Sequence, residues 1–426
     1  MHKVYKLFTK SEFLRNSSIL VGGTSFSAII QILASPVLTR LYSPEEFGIF
    51  ALFFSIVTFL SIIITAQYEL TIVLPKDDTD SAILVLVSMI ISCIFSAVLL
   101  CVVIVFVRIF ESSSWLYFVP PTCLFMGLFQ SGYYWLIRQK HFRILAKVSI
   151  LHALITVITT VLLVFVLHGY LGLIMGYMVG YLVIGALILI ITYKKIKNHW
   201  AHIARFSILL YFMKRYKNFP LYSSVSGLID NLALQLPTFF LSAFFGTTVV
   251  GFYAISQRAV RLPISIISKA IGDVFRQKAS FEYAHKGQCK ELFVKVLLLL
   301  SFLAVVFFLI FFITVPYVFD LVLGKEWIIA GKYARILSAM FFLHFIAAPL
   351  GGMFIIAEKQ KVGFFMRVCL LIASSASLWC GYYFFNSINA CLILLTISYC
   401  MKYLFELFIS YKFSLGIKLY KHCSND

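Results

Sequence analysis

The sequence predicts an all-α polytopic membrane protein with about twelve transmembrane helices in two sets of six. Three observations point there. Of the 426 residues, 62% are hydrophobic and only 12% are charged, roughly half the charge that a hydrated surface carries. Apolar runs of about 20 residues, each long enough to cross a bilayer, recur from one end of the chain to the other. The Lys and Arg between those runs gather in short loops on one side.

The chain begins MHKVYKLFTKSEFLRNSS and then turns apolar through Pro36 to Leu38. No small-residue cleavage site follows, so this run is expected to be a retained first span rather than a cleaved leader. Hydropathy places spans near 17–38, 47–74, 82–107, 115–137, 148–168 and 170–192, then near 219–244, 249–272, 292–316, 332–357, 362–385 and 388–411. The nine cysteines are scattered through these runs. They have neither metal-ligand spacing nor the pattern of an extracellular disulfide framework, and are read as small packing residues.

The formal net charge of +19 would suit a nucleic-acid partner, but its placement excludes one, because the cations sit in short loops between apolar spans. With twelve spans, 27 of the 36 Lys and Arg fall on one side: in the N-terminus, around 138–147, 194–217, 276–295 and 359–367, at Lys76 and in the C-terminal tail. Arg40, Arg108, Lys325, Lys332 and Arg335 fall on the other. The positive-inside rule then puts both termini in the cytoplasm. Arg258, Arg261, Lys269 and Lys402 remain inside spans.

Residues 193–218 form the widest connection and divide the chain into an N-terminal six-helix lobe (1–192), a basic connector and a C-terminal six-helix lobe (219–426). In the connector, Ile203, Phe206, Leu210, Met213 and Phe219 recur at helical spacing among basic residues, the pattern of an interfacial helix on an anionic leaflet. The halves echo each other. Pro36 interrupts a span leading to Gly48-Ile49-Phe50-Ala51, and Pro237 one leading to Gly251-Phe252-Tyr253-Ala254. Six spans per half make the repeats parallel, related by a pseudo-two-fold axis along the membrane normal. Helix breaks at matching places point to a central transport site.

A charge at mid-span costs about 2.5–3.5 kcal/mol on insertion scales and needs a partner, water or a function. Asp230 falls about halfway along the seventh span, counting about 1.5 Å per residue. Arg258 and Arg261 fall near the middle of the eighth; Ser265 and Lys269 extend their face, and Pro263 is expected to kink the helix. Asp230 paired with one arginine is the simplest arrangement. It leaves an arginine and a lysine facing something else, and a wet cationic cavity for an anionic, phosphate-like ligand accounts for them. Glu69 and His344 are candidates for cation coupling. Arg40, with Glu45 and Glu46, is a surface cluster or a gate. Lys402 and Glu406, four apart, are expected to pair with each other. There is no Walker A sequence, zinc motif or nucleophile elbow, so no metal, cofactor or catalytic residue is expected.

The stretch SSILVGGTSFSAIIQILASPVLTRLYSPEEFGIFALFFSIVTFLSIIITAQYELTIVLPKDD, over roughly residues 16–80, resembles the start of Wzx-type O-antigen and polysaccharide repeat-unit flippases. These belong to the multidrug/oligosaccharidyl-lipid/polysaccharide (MOP) exporter superfamily. The run from Pro36 to Gly48, the basic loop after the sixth span and the run from Gly251 to Arg258 carry the likeness further. The resemblance implies two six-helix lobes in a V around a central cavity. It also implies an undecaprenyl-pyrophosphate-linked oligosaccharide as substrate, flipped from the cytoplasmic to the periplasmic leaflet of a bacterial inner membrane. A polysaccharide polymerase and a chain-length regulator are the implied partner proteins. Asp230, Arg258 and Arg261 lie on the spans that line the cavity in that family. A cation-coupled multidrug or metabolite exporter on the same scaffold is the first alternative. A membrane polysaccharide polymerase is the second, disfavoured by the shortness of the outward loops.

The orientation is checked with C-terminal fusions. Green fluorescent protein fused there should fluoresce and alkaline phosphatase should stay inactive; the reverse result would invert the charge reading.

Overall fold

The computed structural model describes residues 2–111, 113–167, 169–196 and 206–416, with the side chains of 2–18, 195–196, 206, 262–263, 265–266 and 269–270 outside the description. Among the described residues every long element is a helix, and nine segments are long and apolar enough to cross a membrane. This is the all-helical membrane fold that hydropathy predicts. Lipid hydrocarbon offers the backbone no hydrogen bonds, so each span must satisfy its own.

The chain divides into two compact units, Met1–Gln235 and Leu236–Asp426. The first holds α1 (His2–Leu41), α2 (Pro44–Leu60), α3 (Asp78–Phe110), α4 (Val119–Arg138), α5 (Phe142–Leu163), α6 (Leu171–Ile196), α7 (Phe206–Arg215) and the first half of α8 (Ser224–Phe245). Helix α1 packs on α5, α5 on α6, α6 on α4 and α4 on α3. The second unit holds the rest of α8, then α9 (Thr247–Lys286), α10 (Lys290–Leu323), α11 (Ile328–Leu350), a short α12 (Met353–Ile356), α13 (Gln360–Phe385) and α14 (Ile388–Ser414). Here α11 is central, packed against α9, α10 and α14, while α13 lies on α14.

Local chemistry sets the ends. Ser43 starts α2 through a capping box: its hydroxyl accepts from the Glu46 amide at 3.3 Å, and Glu46 accepts from the Ser43 amide at 2.7 Å. Beside it the Tyr42 hydroxyl donates to the Thr160 carbonyl at 2.7 Å. Burial, and secondarily the Glu46 charge, pushes this phenol up to about 12. Arg138 closes α4 onto the start of α3, with Nε on Asp78 at 2.9 Å and the other guanidinium nitrogens on the carbonyls of Pro75 and Lys76 at 2.6 and 3.0 Å.

Two expectations change. The second span is not one helix to residue 74. Helix α2 stops at Leu60, a run of turns follows, and a 3₁₀ helix covers Tyr68–Val73. Ala66 and Gln67 take positive φ angles of 49° and 60°, and nothing in ITAQYELTIV marks such a turn, since neither Gly nor Pro occurs there. The prolines at 36 and 237 lie inside α1 and α8, which run on past them; α9 likewise continues unbroken from Thr247 to Lys286 past Pro263, whose side chain lies outside the description. Gln235 accepts from the Ser55 hydroxyl at 2.9 Å and donates to the Thr58 hydroxyl at 3.2 Å, tying the first half of α8 to α2.

Part of the connector, 197–205, lies outside the described residues. Helix α7 lies on the first unit through Ile208, Leu209, Phe212, Met213 and Tyr216, and the Tyr68 hydroxyl donates to the Met213 carbonyl at 2.9 Å. Of the apolar stripe read from sequence, Leu210 is instead exposed.

Small residues let the spans approach closely. A Cβ at Gly381 would stand 2.6 Å from the Cα of Cys391 on α14, whereas one at Gly22 would meet nothing within 4 Å. Gly381→Ala should therefore part α13 from α14 and destabilise the fold by roughly 1–3 kcal/mol, while Gly22→Ala does not. Thermal unfolding of the two purified variants separates these outcomes.

Candidate functional site

The polar residues inside the second unit are brought together by the way α9 lies along α11. The Ser256 hydroxyl donates to the Ala330 carbonyl at 2.6 Å near one end of the contact. Ser268 reaches the Phe345 carbonyl at 3.5 Å further along, and Gly272 lies so near Pro349 that a Cβ would be 3.2 Å from its Cα. This register carries Arg258 and Arg261 into the same unit as His344 of α11.

The fourth side comes from α14. Tyr399, Lys402, Tyr403 and Glu406 are spaced three and four apart and share one helix face. Lys402 Nζ is 2.5 Å from Glu406 Oε2, and both side chains are 18% exposed. The same ammonium stands 4.4 Å from the centre of the Tyr403 ring. Tyr403 in turn neighbours His344 at 5.1 Å and Tyr399 at 6.1 Å between ring centres. Gly351 lies close to Glu406: a Cβ there would stand 3.0 Å from its Oε1. Arg258 and Arg261 follow Tyr253 on α9 by five and eight residues. On α9 itself the Gln257 amide donates to the Tyr253 hydroxyl. Arg258 is half-buried and Arg261 exposed.

This site is a cationic cluster within the membrane-spanning helices. Its cations are Arg258 and Arg261 on α9 and Lys402 on α14, and Lys402 pairs with Glu406. Phenol hydroxyls and the His344 ring surround them, and His344 Nδ1 is buried with no hydrogen-bond partner among the described residues. Guanidinium groups with aromatic hydroxyls suit a ligand that is anionic and rich in oxygen. Among the described residues no group of His, Cys, Asp and Glu could hold a metal ion.

The residues picked from sequence divide as follows. Arg258, Arg261 and His344 all lie in the second unit; Lys402 and Glu406 form the expected pair, next to His344 through Tyr403. The Lys269 side chain lies outside the description. Asp230, partly buried on α8, belongs to the first unit. So does Glu69, only 4% exposed, which takes a hydrogen bond from the Thr65 hydroxyl within the unwound stretch after α2. Arg40 is exposed in the last turn of α1, where a cation complements the helix dipole; its neighbour Glu46 is engaged by the capping box. Sequence reasoning missed Tyr253, Tyr399 and Tyr403. The helical spacing on α14 was the only signal, and nothing local joins that face to α9.

The family model described as polysaccharide biosynthesis protein matches residues 37–332. None of the curated proteins matches the chain. Among solved structures, the lipid II flippase MurJ in an inward closed conformation matches with TM-score 0.68 and 13% identity, covering 93% of this chain and 89% of that one. An inward-facing multidrug resistance MATE family transporter of the MOP superfamily matches with TM-score 0.66 and 14% identity, over 90% of this chain and 93% of that one. A MOP superfamily transporter from Pyrococcus furiosus matches with TM-score 0.62 and 12% identity, over 92% and 94%. At such identities the likeness is one of fold, and the fold is that of the MOP superfamily transporters.

Removing one member of a sheltered ion pair strands the other charge, at a cost of about 3–5 kcal/mol. Glu406→Gln should therefore lower the unfolding temperature clearly, while the double change Glu406→Gln with Lys402→Met recovers most of the loss. Equal stability of the single and double variants would mean the pair is solvated.

Proposed function

The chain belongs to the polysaccharide biosynthesis protein family, and from that premise we propose that it flips undecaprenyl-pyrophosphate-linked oligosaccharide repeat units, of O-antigen or capsule type, across the bacterial inner membrane. It moves them from the cytoplasmic to the periplasmic leaflet by alternating access. The observation that carries this reading is the presence of three cations, Arg258, Arg261 and Lys402, on the membrane-embedded helices α9 and α14 of the second unit. Arg258 and Arg261 receive the pyrophosphate through forked, charge-assisted hydrogen bonds, and Lys269 extends the same face. Tyr399 and Tyr403 offer hydroxyls to the first sugars, and the prenyl tail stays in lipid, where its transfer free energy is favourable. Both termini face the cytoplasm, with six-helix lobes at 1–192 and 219–426 joined by 193–218.

Glu69 supports a second reading, a cation-coupled exporter of drugs or metabolites. A carboxylate held in an unwound membrane segment is a plausible carrier for a coupling cation in either case, with His344 as a proton relay and Arg40 at the outer gate. The cationic cluster disfavours the cationic substrates that drug pumps favour.

Deleting the chain should make lipid-linked repeat units accumulate on the cytoplasmic leaflet and abolish surface polysaccharide. A charge-assisted hydrogen bond contributes about 1.5–3 kcal/mol, so the Arg258→Gln, Arg261→Gln variant should reach the membrane at normal amount yet transport at least tenfold more slowly, on the scale of about 1.4 kcal/mol per tenfold. Surface polysaccharide at the normal level in the deletion strain would overturn the reading.

A further inference from the structure

The second unit has another concavity, away from the charged cluster. Phe245 at the end of α8, Tyr333 in the second turn of α11, and Asn386, Ser387, Ile388 and Asn389 in the turn between α13 and α14 enclose about 380 Å³. That is within the range of about 300–1,000 Å³ typical of small-ligand sites. All six residues lie at the same ends of their helices, the ends that the distribution of Lys and Arg assigns to the outside.

Its lining has a definite chemistry. Two aromatic rings form one part. Phe245 is held edge-on by Tyr382, at 5.6 Å and 88°; Tyr333, 6% exposed, stands edge-on to Phe252 at 6.3 Å and 85°. Both rings are fixed by these neighbours. The other part is two primary amides and a hydroxyl. Asn386 ends α13 at a φ of 43°, so the turn itself sets the direction of its side chain. Ser387 stands at the N-cap of α14, but its hydroxyl makes no capping bond there, which leaves it free for a ligand. No charged residue lines the space. The nearby Arg335 lies instead over the Phe312 ring, 4.4 Å from its centre.

Fixed aromatic faces beside groups that both donate and accept hydrogen bonds, with no formal charge, suit a ligand having an apolar C–H face and a rim of hydroxyls. We propose that this cavity is a subsite for one neutral sugar residue of a glycan on the outer side of the membrane. The sugar ring lies against Phe245 and Tyr333, and its hydroxyls or acetamido group bond to Asn386, Ser387 and Asn389. The subsite would receive the sugars distal to the lipid anchor as the glycan emerges, so the inference rests on the glycan-transport reading above.

The test uses the full chain in phospholipid nanodiscs. Saturation-transfer NMR is recorded with methyl β-glucoside and N-acetylglucosamine as probes and glucose 6-phosphate as the charged control. The neutral probes should receive saturation at their ring C–H protons. In the Ser387→Ala, Asn389→Ala variant that transfer should fall roughly fivefold, the scale expected for losing two neutral hydrogen bonds. Ser387 has no capping bond to lose and Asn389 is exposed, so the variant should unfold at the same temperature as the unaltered chain. Equal transfer in both proteins, no transfer to either neutral probe, or stronger transfer to the phosphorylated control would overturn the subsite. Deletion of the chain separates the two readings. If deletion abolishes surface polysaccharide while the double variant keeps full sugar signals, only the subsite fails. If deletion leaves surface polysaccharide unchanged, the transport reading fails, whatever the probes show.

Discussion

Lipid hydrocarbon can neither donate nor accept a hydrogen bond, and this constraint shapes each irregular feature of the chain. Where α2 stops at Leu60, the backbone closes on itself at once: Ser61 donates to Val57 at 2.8 Å, Ile64 to Leu60 at 3.1 Å and Ala66 to Ile63 at 2.9 Å. The Gln67 side chain then donates to the Ile62 carbonyl at 3.0 Å. Two non-glycine residues at positive φ, each costing on the order of 1–3 kcal/mol, are held by this local bonding and by the buried Glu69 beside them. The turn places a carboxylate inside the first unit without opening a backbone group to lipid.

The same constraint governs the side chains. Most hydroxyls in the spans bond to carbonyls on their own helix, as Ser92 does to Ser88 at 2.8 Å and Thr396 to Leu392 at 2.7 Å. A few cross to a neighbouring helix, and these hold the packing in register. Ser96 reaches Pro120 at 2.6 Å and Ser256 reaches Ala330 at 2.6 Å. The second of these matters most, because it fixes the register of α9 on α11 and so determines which residues surround the arginines.

How much of this was legible in the sequence follows from how far each signal reaches. Spans are legible because hydropathy is local and the bilayer demands a fixed length, so the terminal helices α13 and α14 appear where the apolar runs put them. The pair Lys402–Glu406 is legible because one helix supplies both residues at i and i+4. The break at 61–67 is not, since glycine and proline are the usual marks of such a turn and neither is present. The bonds that tie Gln235 of α8 to Ser55 and Thr58 of α2 join residues far apart in sequence, so no local pattern records them. For the site, the stripe of Arg258 and Arg261 announces itself, but the face of Tyr399, Lys402, Tyr403 and Glu406 joins it only through α11, which no local pattern records.

The polar character of α9 also bears on the order in which the protein is made. Among the described residues, Thr247–Lys286 is not one of the nine segments apolar enough to count as a span, and two arginines near mid-depth weigh against its leaving the translocon alone. Its main packing partner, α11, is synthesised later, and Glu406, the carboxylate of the cluster, later still. The ribosome therefore delivers Arg258 and Arg261 well before the helix that α9 packs on. The packing of the eighth span within the second unit is completed only once helices downstream have been made.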